Sequence, residues 1–114
     1  MTDEILYRLE TVGRTTIVHF EIDHLASQPL DGLYSLVTEG EKLRVVLDFS
    51  AVTMVTSIAL VALVSFRRKL IEKGGQISVY GLEENLEELF RRSRLQNFFR
   101  TTPSRDDAIR MVNS

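Results

Sequence analysis

The chain has 114 residues, 44% of them hydrophobic, and a formal net charge of −2. This length fits one compact domain, taken as residues 1–114, and the hydrophobic content is too high for a disordered chain. Cysteine is absent, which excludes disulfides, thiol catalysis and Cys-ligated metals, and the acidic balance argues against a protein that works mainly on nucleic acid.

The N-terminal part of the chain predicts a β-hairpin followed by a helix. Apolar and polar residues alternate over 5–10, which indicates a half-buried strand, and again over 15–22, which indicates a second short strand. Gly13 between them favours a tight antiparallel turn. Pro29 suits the first turn of a helix, and Gly40 is expected to end it. The apolar residues of this helix fall on one face: Leu30, Leu33, Tyr34 and Val37.

Strands and helices alternate through the rest of the chain. The apolar residues of 43–48 do not alternate with polar ones, which is typical of a central strand covered on both faces. Further helices are predicted over 57–73, over 83–94 and after a Ser104 cap, with short strands over 76–80 and at 98–99. The order β-β-α-β-α-β-α-β-α predicts one α/β domain with a mixed sheet, an N-terminal β-hairpin and helices covering the sheet.

Residues that could carry chemistry are few. No Walker A or G-x-G-x-x-G sequence is present, so we predict no phosphate-binding cofactor. His19 and His24 are expected to point to opposite sides of a polar outer edge, so we predict no metal site. Asp48 ends a predicted parallel strand, where it is either a functional acid or a residue that bonds the following loop. An enzyme built on Asp48 is the least favoured interpretation, because no acid–base pair is visible.

The stretch Phe49–Phe66 carries no charge, but its five hydroxyls argue against insertion in a membrane. Its second half predicts an apolar helix that covers the sheet with one stripe of residues, Ala59, Leu63, Phe66 and Leu70. The opposite side still offers Ile58 and Val61. Either a neighbouring helix of the same domain or a partner protein must cover them.

Ser57 lies where the loop meets this helix. A serine at that position commonly caps the helix by accepting a backbone hydrogen bond. A phosphate there would also be well accommodated by the free N–H groups of a helix N-terminus. Its charge beside an apolar surface would oppose a partner made for an uncharged hydroxyl. Both roles remain open from position alone.

The segment Leu47–Ser57, LDFSAVTMVTS, resembles the D-L-S-G-V-x-x-I-D-S-S/T-G-L stretch of STAS domains, the fold of bacterial anti-sigma factor antagonists. The order of elements and the Gly74–Ile77 segment are also similar to that family. The resemblance implies a cytoplasmic bacterial protein that binds a serine-kinase-type anti-sigma factor, and a kinase that ends the interaction by phosphorylating one serine. That serine matches Ser57. The preceding family Asp is Thr56 here, and Ile58-Ala59 replace Ser/Thr-Gly.

Two functions follow from the resemblance, and neither is an enzyme or needs a cofactor. In the first, the chain is an antagonist switched off by phosphorylation at Ser57, with Thr56 as second choice. In the alternative, it is a constitutive, non-phosphorylated docking subunit of a transporter ATPase or a stress-signalling scaffold. In either case, the residues expected to contact the partner lie between the strand end and the helix: Asp48, Thr56, Ser57, Ile58 and Val61.

Overall fold

The computed structural model describes residues 6–39, 43–95 and 98–114. The strands are β1 Tyr7–Val12, β2 Thr15–Phe20, β3 His24–Leu25, β4 Arg44–Asp48, β5 Met54–Val55, β6 Gln76–Tyr80 and β7 Arg100–Thr102. The helices are α1 Gln28–Glu39, α2 Ser57–Glu72, α3 Glu84–Arg92 and α4 Arg105–Val112. Ile5 and Gly40, assigned from the sequence to the first strand and the end of the first helix, lie outside the described residues, as does the side chain of Val37.

Five strands form one mixed sheet in the order β1-β2-β4-β6-β7. The hairpin pair β1 and β2 is antiparallel, and the remaining neighbours are parallel. This confirms the predicted α/β fold with an N-terminal hairpin. β3 and β5 form a separate parallel pair of two residues each, which is too short for any periodicity in the sequence to reveal.

Helices cover both faces of the sheet. On one face the side chains of α1, α2 and α3 form the main core with residues such as Val18 and Leu47. On the other face α4 contributes Ala108 and Val112 to a smaller core with Ile17. Because the strands from β2 to β7 are parallel, their carboxyl ends lie at one edge of the sheet, and the segment that leads into α2 starts from that edge.

Every residue of β2 is buried, although its sequence alternates between apolar and polar residues. β2 lies between β1 and β4 and is covered on both faces, so its polar residues are buried as well. The last strand was misplaced: it is Arg100–Thr102, while Phe99 is a fully buried core residue just before it. The predicted Ser104 cap is confirmed, since its Oγ accepts a hydrogen bond from the Asp107 N–H at 3.2 Å.

The uncharged stretch Phe49–Phe66 does not form one continuous helix. It is divided among a loop, β5 and the first part of α2. In the described part of the chain, the helices are all too short or too polar to cross a bilayer.

Candidate functional site

The segment between β4 and α2 is fixed in place by its own side chains and by backbone bonds to other elements. Phe49, Val52 and Val55 are buried and anchor it to the core. At its start the Phe49 N–H donates to the Tyr80 carbonyl at 3.0 Å, and at its end the Thr56 N–H donates to the Leu25 carbonyl at 3.1 Å. The position at which α2 begins is thus set by the sheet and by the small β3–β5 pair.

Asp48 organises the first turn of this segment. Its Oδ1 accepts the Ser50 backbone N–H at 2.9 Å and the Ser50 hydroxyl at 2.5 Å, and its Oδ2 lies 2.5 Å from His19 Nδ1. Burial favours the neutral carboxyl, but the hydrogen bonds from Ser50, His19 and Tyr80 prevail and lower the pKa of Asp48. Of the two roles open from the sequence, the geometry supports the loop-bonding one.

Gly81 allows this turn to pack against the end of β6. Its φ of 82° lies in the left-handed region that favours glycine. A Cβ at this position would lie 2.5 Å from Ser50 Oγ and 3.2 Å from Asp48 Oδ1. The sequence indicated only a strand end here, because the close approach arises from residues about thirty positions away.

The sequence predicts that His19 lies on a polar outer edge. In the structure, His19 is instead a buried residue of β2. Its Nδ1 meets Asp48, and its Nε2 lies 2.7 Å from Glu10 Oε1. Arg105, from the first turn of α4, donates two hydrogen bonds to Glu10 at 2.8 and 2.7 Å. The parallel pairing of β2 with β4 sets His19 beside Asp48. The sequence does not reveal that Arg105 joins them, because it lies far away along the chain.

The charges of this cluster compensate one another. Hydrogen bonds from Arg105 and His19 lower the pKa of Glu10 to about 2. Burial and the neighbouring Asp48 carboxylate raise the pKa of Tyr80 to about 12. The Ser50 hydroxyl donates to a carboxylate rather than to an imidazole, and Glu10 occupies the second nitrogen of His19. The Ser50 hydroxyl therefore lacks the contact with His19 by which a histidine base would activate a serine nucleophile.

Replacing Glu10 with glutamine is expected to make folding stability less sensitive to acid. The pKa of Glu10 is about 2 in the fold and 4.5 as an ordinary value, so its charged form stabilises the protein above pH 4.5 and that contribution is lost as the pH falls toward 2. Urea unfolding across this pH range should show a shallower loss in Glu10→Gln than in wild type. Glu72→Gln, on the exposed end of α2, is the control, and equal pH dependence in all three proteins would contradict the assignment.

Thr56, not Ser57, caps α2. Its Oγ1 accepts the Ala59 N–H at 3.1 Å, and its backbone is extended at φ −71° and ψ 159°. The capping role considered for Ser57 is therefore wrong. Ser57 is the first residue of the helix, its side chain is exposed, and its hydroxyl makes no hydrogen bond to the described residues.

The predicted core stripe of α2 is confirmed, since its four residues, Ala59, Leu63, Phe66 and Leu70, are all buried. On the opposite side Ile58 and Val61 are each 70% exposed, and Met54 just before the helix is 53% exposed. No helix of the described chain covers them. We call Thr56, Ser57, Ile58 and Val61 the α2 surface. Asp48 does not join it, because its side chain is 13% exposed and both carboxylate oxygens are bonded within the fold.

A sequence model of the STAS domain matches residues 8–108, which is most of the chain. The chain belongs to the STAS domain family. This agrees with the resemblance of the β4–α2 segment and with the order of elements. The STAS chain matches no curated protein sequence.

Solved structures with the same fold include three that are informative. An anti-sigma factor antagonist from Mycobacterium paratuberculosis is 20% identical, with a TM-score of 0.75 over 95% of this chain and 93% of that one. The Bacillus cell fate determinant SpoIIAA in its phosphorylated form is 16% identical, with a TM-score of 0.68 over 93% and 98%. A sulfate transporter family protein from Wolinella succinogenes is 15% identical, with a TM-score of 0.77 over 91% and 88%. At these identities the similarity establishes the STAS fold.

Proposed function

We propose that this STAS protein is an anti-sigma factor antagonist-like regulator that docks a serine-kinase-type anti-sigma factor through the α2 surface and is released by phosphorylation of Ser57. One observation carries the proposal. Thr56 caps α2 by accepting the Ala59 N–H, which leaves the Ser57 hydroxyl exposed and unbonded among described residues, next to the exposed Ile58 and Val61. The existence of a phosphorylated form of SpoIIAA supports a switch of this kind in the fold.

Phosphorylation at this position changes the surface without a change of fold. The N-terminus of a helix carries partial positive charge and free N–H groups, so it tolerates a phosphate. The added charge of about −2 stands beside two apolar side chains and opposes a partner that buries them. Thr56 is the second choice for the modification, because its oxygen already accepts the Ala59 N–H and a phosphate would remove that cap.

The proposed partner is a protein with an ATP site, not a small molecule or a nucleic acid. The chain itself supplies a docking surface and an acceptor hydroxyl, and the partner supplies the phosphate and the kinase chemistry. We therefore propose a non-enzymatic role in the bacterial cytoplasm, where control of sigma factors takes place. No cofactor is needed for this function.

Ser57→Asp is expected to abolish capture of the partner. An aspartate at the first helical position matches the helix dipole, so the fold should be retained. Tagged wild type, Ser57→Asp and Ser57→Ala would each be incubated with native lysate, and bound proteins would be identified by mass spectrometry. Wild type and Ser57→Ala should retain an ATP-binding kinase-like protein that Ser57→Asp loses, and phosphopeptide mapping should find the phosphate on Ser57 in wild type alone.

Capture of the same ATPase or scaffold protein by all three forms would contradict the switch and support the second candidate. In that case the chain is a constitutive docking subunit, and Ser57 is an ordinary exposed residue. Two observations favour this alternative: Thr56 stands where the family motif has Asp, and a sulfate transporter family protein shares the fold.

A further inference from the structure

A groove of about 430 Å³ lies between α2 and the segment that follows α3. It continues the α2 surface toward the C-terminal end of the helix. Its walls are mainly aliphatic, formed by Leu60, Val61, Val64 and Leu95. Three polar or charged side chains complete the lining: Ser65, Arg68 and Ser93. An open apolar groove of this kind on a small domain is a place where another molecule packs.

The charge at the rim is of one sign. Among the described residues that line the groove, Arg68 is charged and none is acidic. Arg94 follows Ser93 with an exposed side chain. Neither Arg68 nor Arg94 forms an ion pair with another residue of the described ranges. The nearby Arg91 and Arg92 differ, because both pair with Glu88.

The order of apolar and charged side chains along α2 indicates which kind of ligand would match this surface. Ile58 and Val61 come first and are apolar, and the unpaired Arg68 follows. Ten residues separate Ile58 from Arg68, a distance of about 15 Å along the helix, or about three helical turns. An amphipathic helix that lays an apolar ridge into such a groove and carries carboxylates on its flank matches both the length and the charge.

We infer that the groove between α2 and residues 93–95 accepts an acidic amphipathic helix of the partner protein. The inference rests on the proposed function only in placing the partner on α2. It adds the chemistry of the docking element: an apolar ridge at helical spacing, flanked by Asp or Glu that meets Arg68 and Arg94. Association should therefore weaken as salt rises, because these cations are near the surface.

Two synthetic helical peptides of about four turns serve as probes. Both carry the same leucine ridge and differ only in flanking residues, Glu in one and Lys in the other. Each is titrated into the isotope-labelled full chain, and backbone amide shifts are followed by NMR. The Glu peptide should shift amides of α2 and of residues 93–95, and the Lys peptide should bind at least about tenfold more weakly.

The chain offers matched variants for this test. Arg94 has a φ of 60°, a conformation that favours glycine, so Arg94→Gly removes the charge without a cost to the fold. Arg68→Glu reverses the charge in the groove and should transfer the preference to the Lys peptide. Arg14→Glu, in the exposed turn of the β1–β2 hairpin, alters the net charge of the protein by the same amount as Arg68→Glu but outside the groove. It should leave binding of the Glu peptide unchanged.

Three outcomes would overturn the inference. The first is equal binding of both peptides, or of neither. The second is a shift pattern outside α2 and residues 93–95. The third is Arg68-dependent binding of phosphatidylglycerol vesicles together with no binding of the Glu peptide, which would make the groove a membrane contact. Failure of the Ser57→Asp experiment alongside preserved peptide binding would instead contradict the phosphorylation switch and leave the groove assignment intact.

Discussion

Phe49→Ala is expected to lower the free energy of unfolding by about 3–5 kcal/mol, which is the usual cost of removing a fully buried aromatic ring. Phe49 is completely buried. Its ring packs edge-on against Phe20, with centroids 5.3 Å apart, and against Phe90 at 6.0 Å. The substitution would leave a cavity where the central strands meet α3, and the rings around it can relax only in part.

This loss is large for a domain of this size, since total stabilities are usually about 5–15 kcal/mol. Phe49 is also the first residue of the segment that leads to α2, and its buried ring anchors that segment to the core. The variant should therefore lose partner binding together with stability. Urea unfolding followed by circular dichroism measures the effect. Phe98→Ala, which removes a 44% exposed ring, should cost under about 1 kcal/mol, and an equal cost in both variants would contradict the argument.

The parts of the fold that the sequence predicts are those with a strong periodic signal. The stripe of α2 repeats at helical spacing over four residues, all of which are buried. The apolar run of β4 indicates a strand covered on both faces, and the structure places it in the middle of the sheet. In both cases the spacing of apolar residues within a single element indicates which of its faces are buried, so the local sequence is sufficient for the prediction.

Prediction from the sequence is wrong or silent where the burial or contacts of a residue depend on several elements together. Polar and apolar residues alternate in β2, yet all of them are buried, because α4 covers one face of this strand and the main core covers the other. The capping residue was missed by one position, since Thr56 and Ser57 are both suitable hydroxyls and the backbone geometry selects the first. Arg105 donates its hydrogen bonds to Glu10 across a sequence separation of 95 residues, and no local sequence pattern predicts such a contact.

Ile58→Glu combined with Val61→Glu is expected to abolish partner binding, with a weakening of at least about a hundredfold, because two carboxylates would have to be desolvated in an apolar contact. Both side chains are 70% exposed, so the fold should lose little stability. Affinity is measured by calorimetry with the partner identified from the lysate. The unfolding curve of the variant, measured alongside, should match that of wild type.

Ile71→Glu is the matched control, since Ile71 is an exposed apolar residue at the far end of the same helix. It should leave the affinity unchanged. The double variant and Ser57→Asp answer different questions, because a constitutive docking subunit would lose binding in the first and retain it in the second. Loss in both variants is what a phosphorylation switch requires. Retention in the double variant would place the contact away from the start of α2 and contradict both proposed functions.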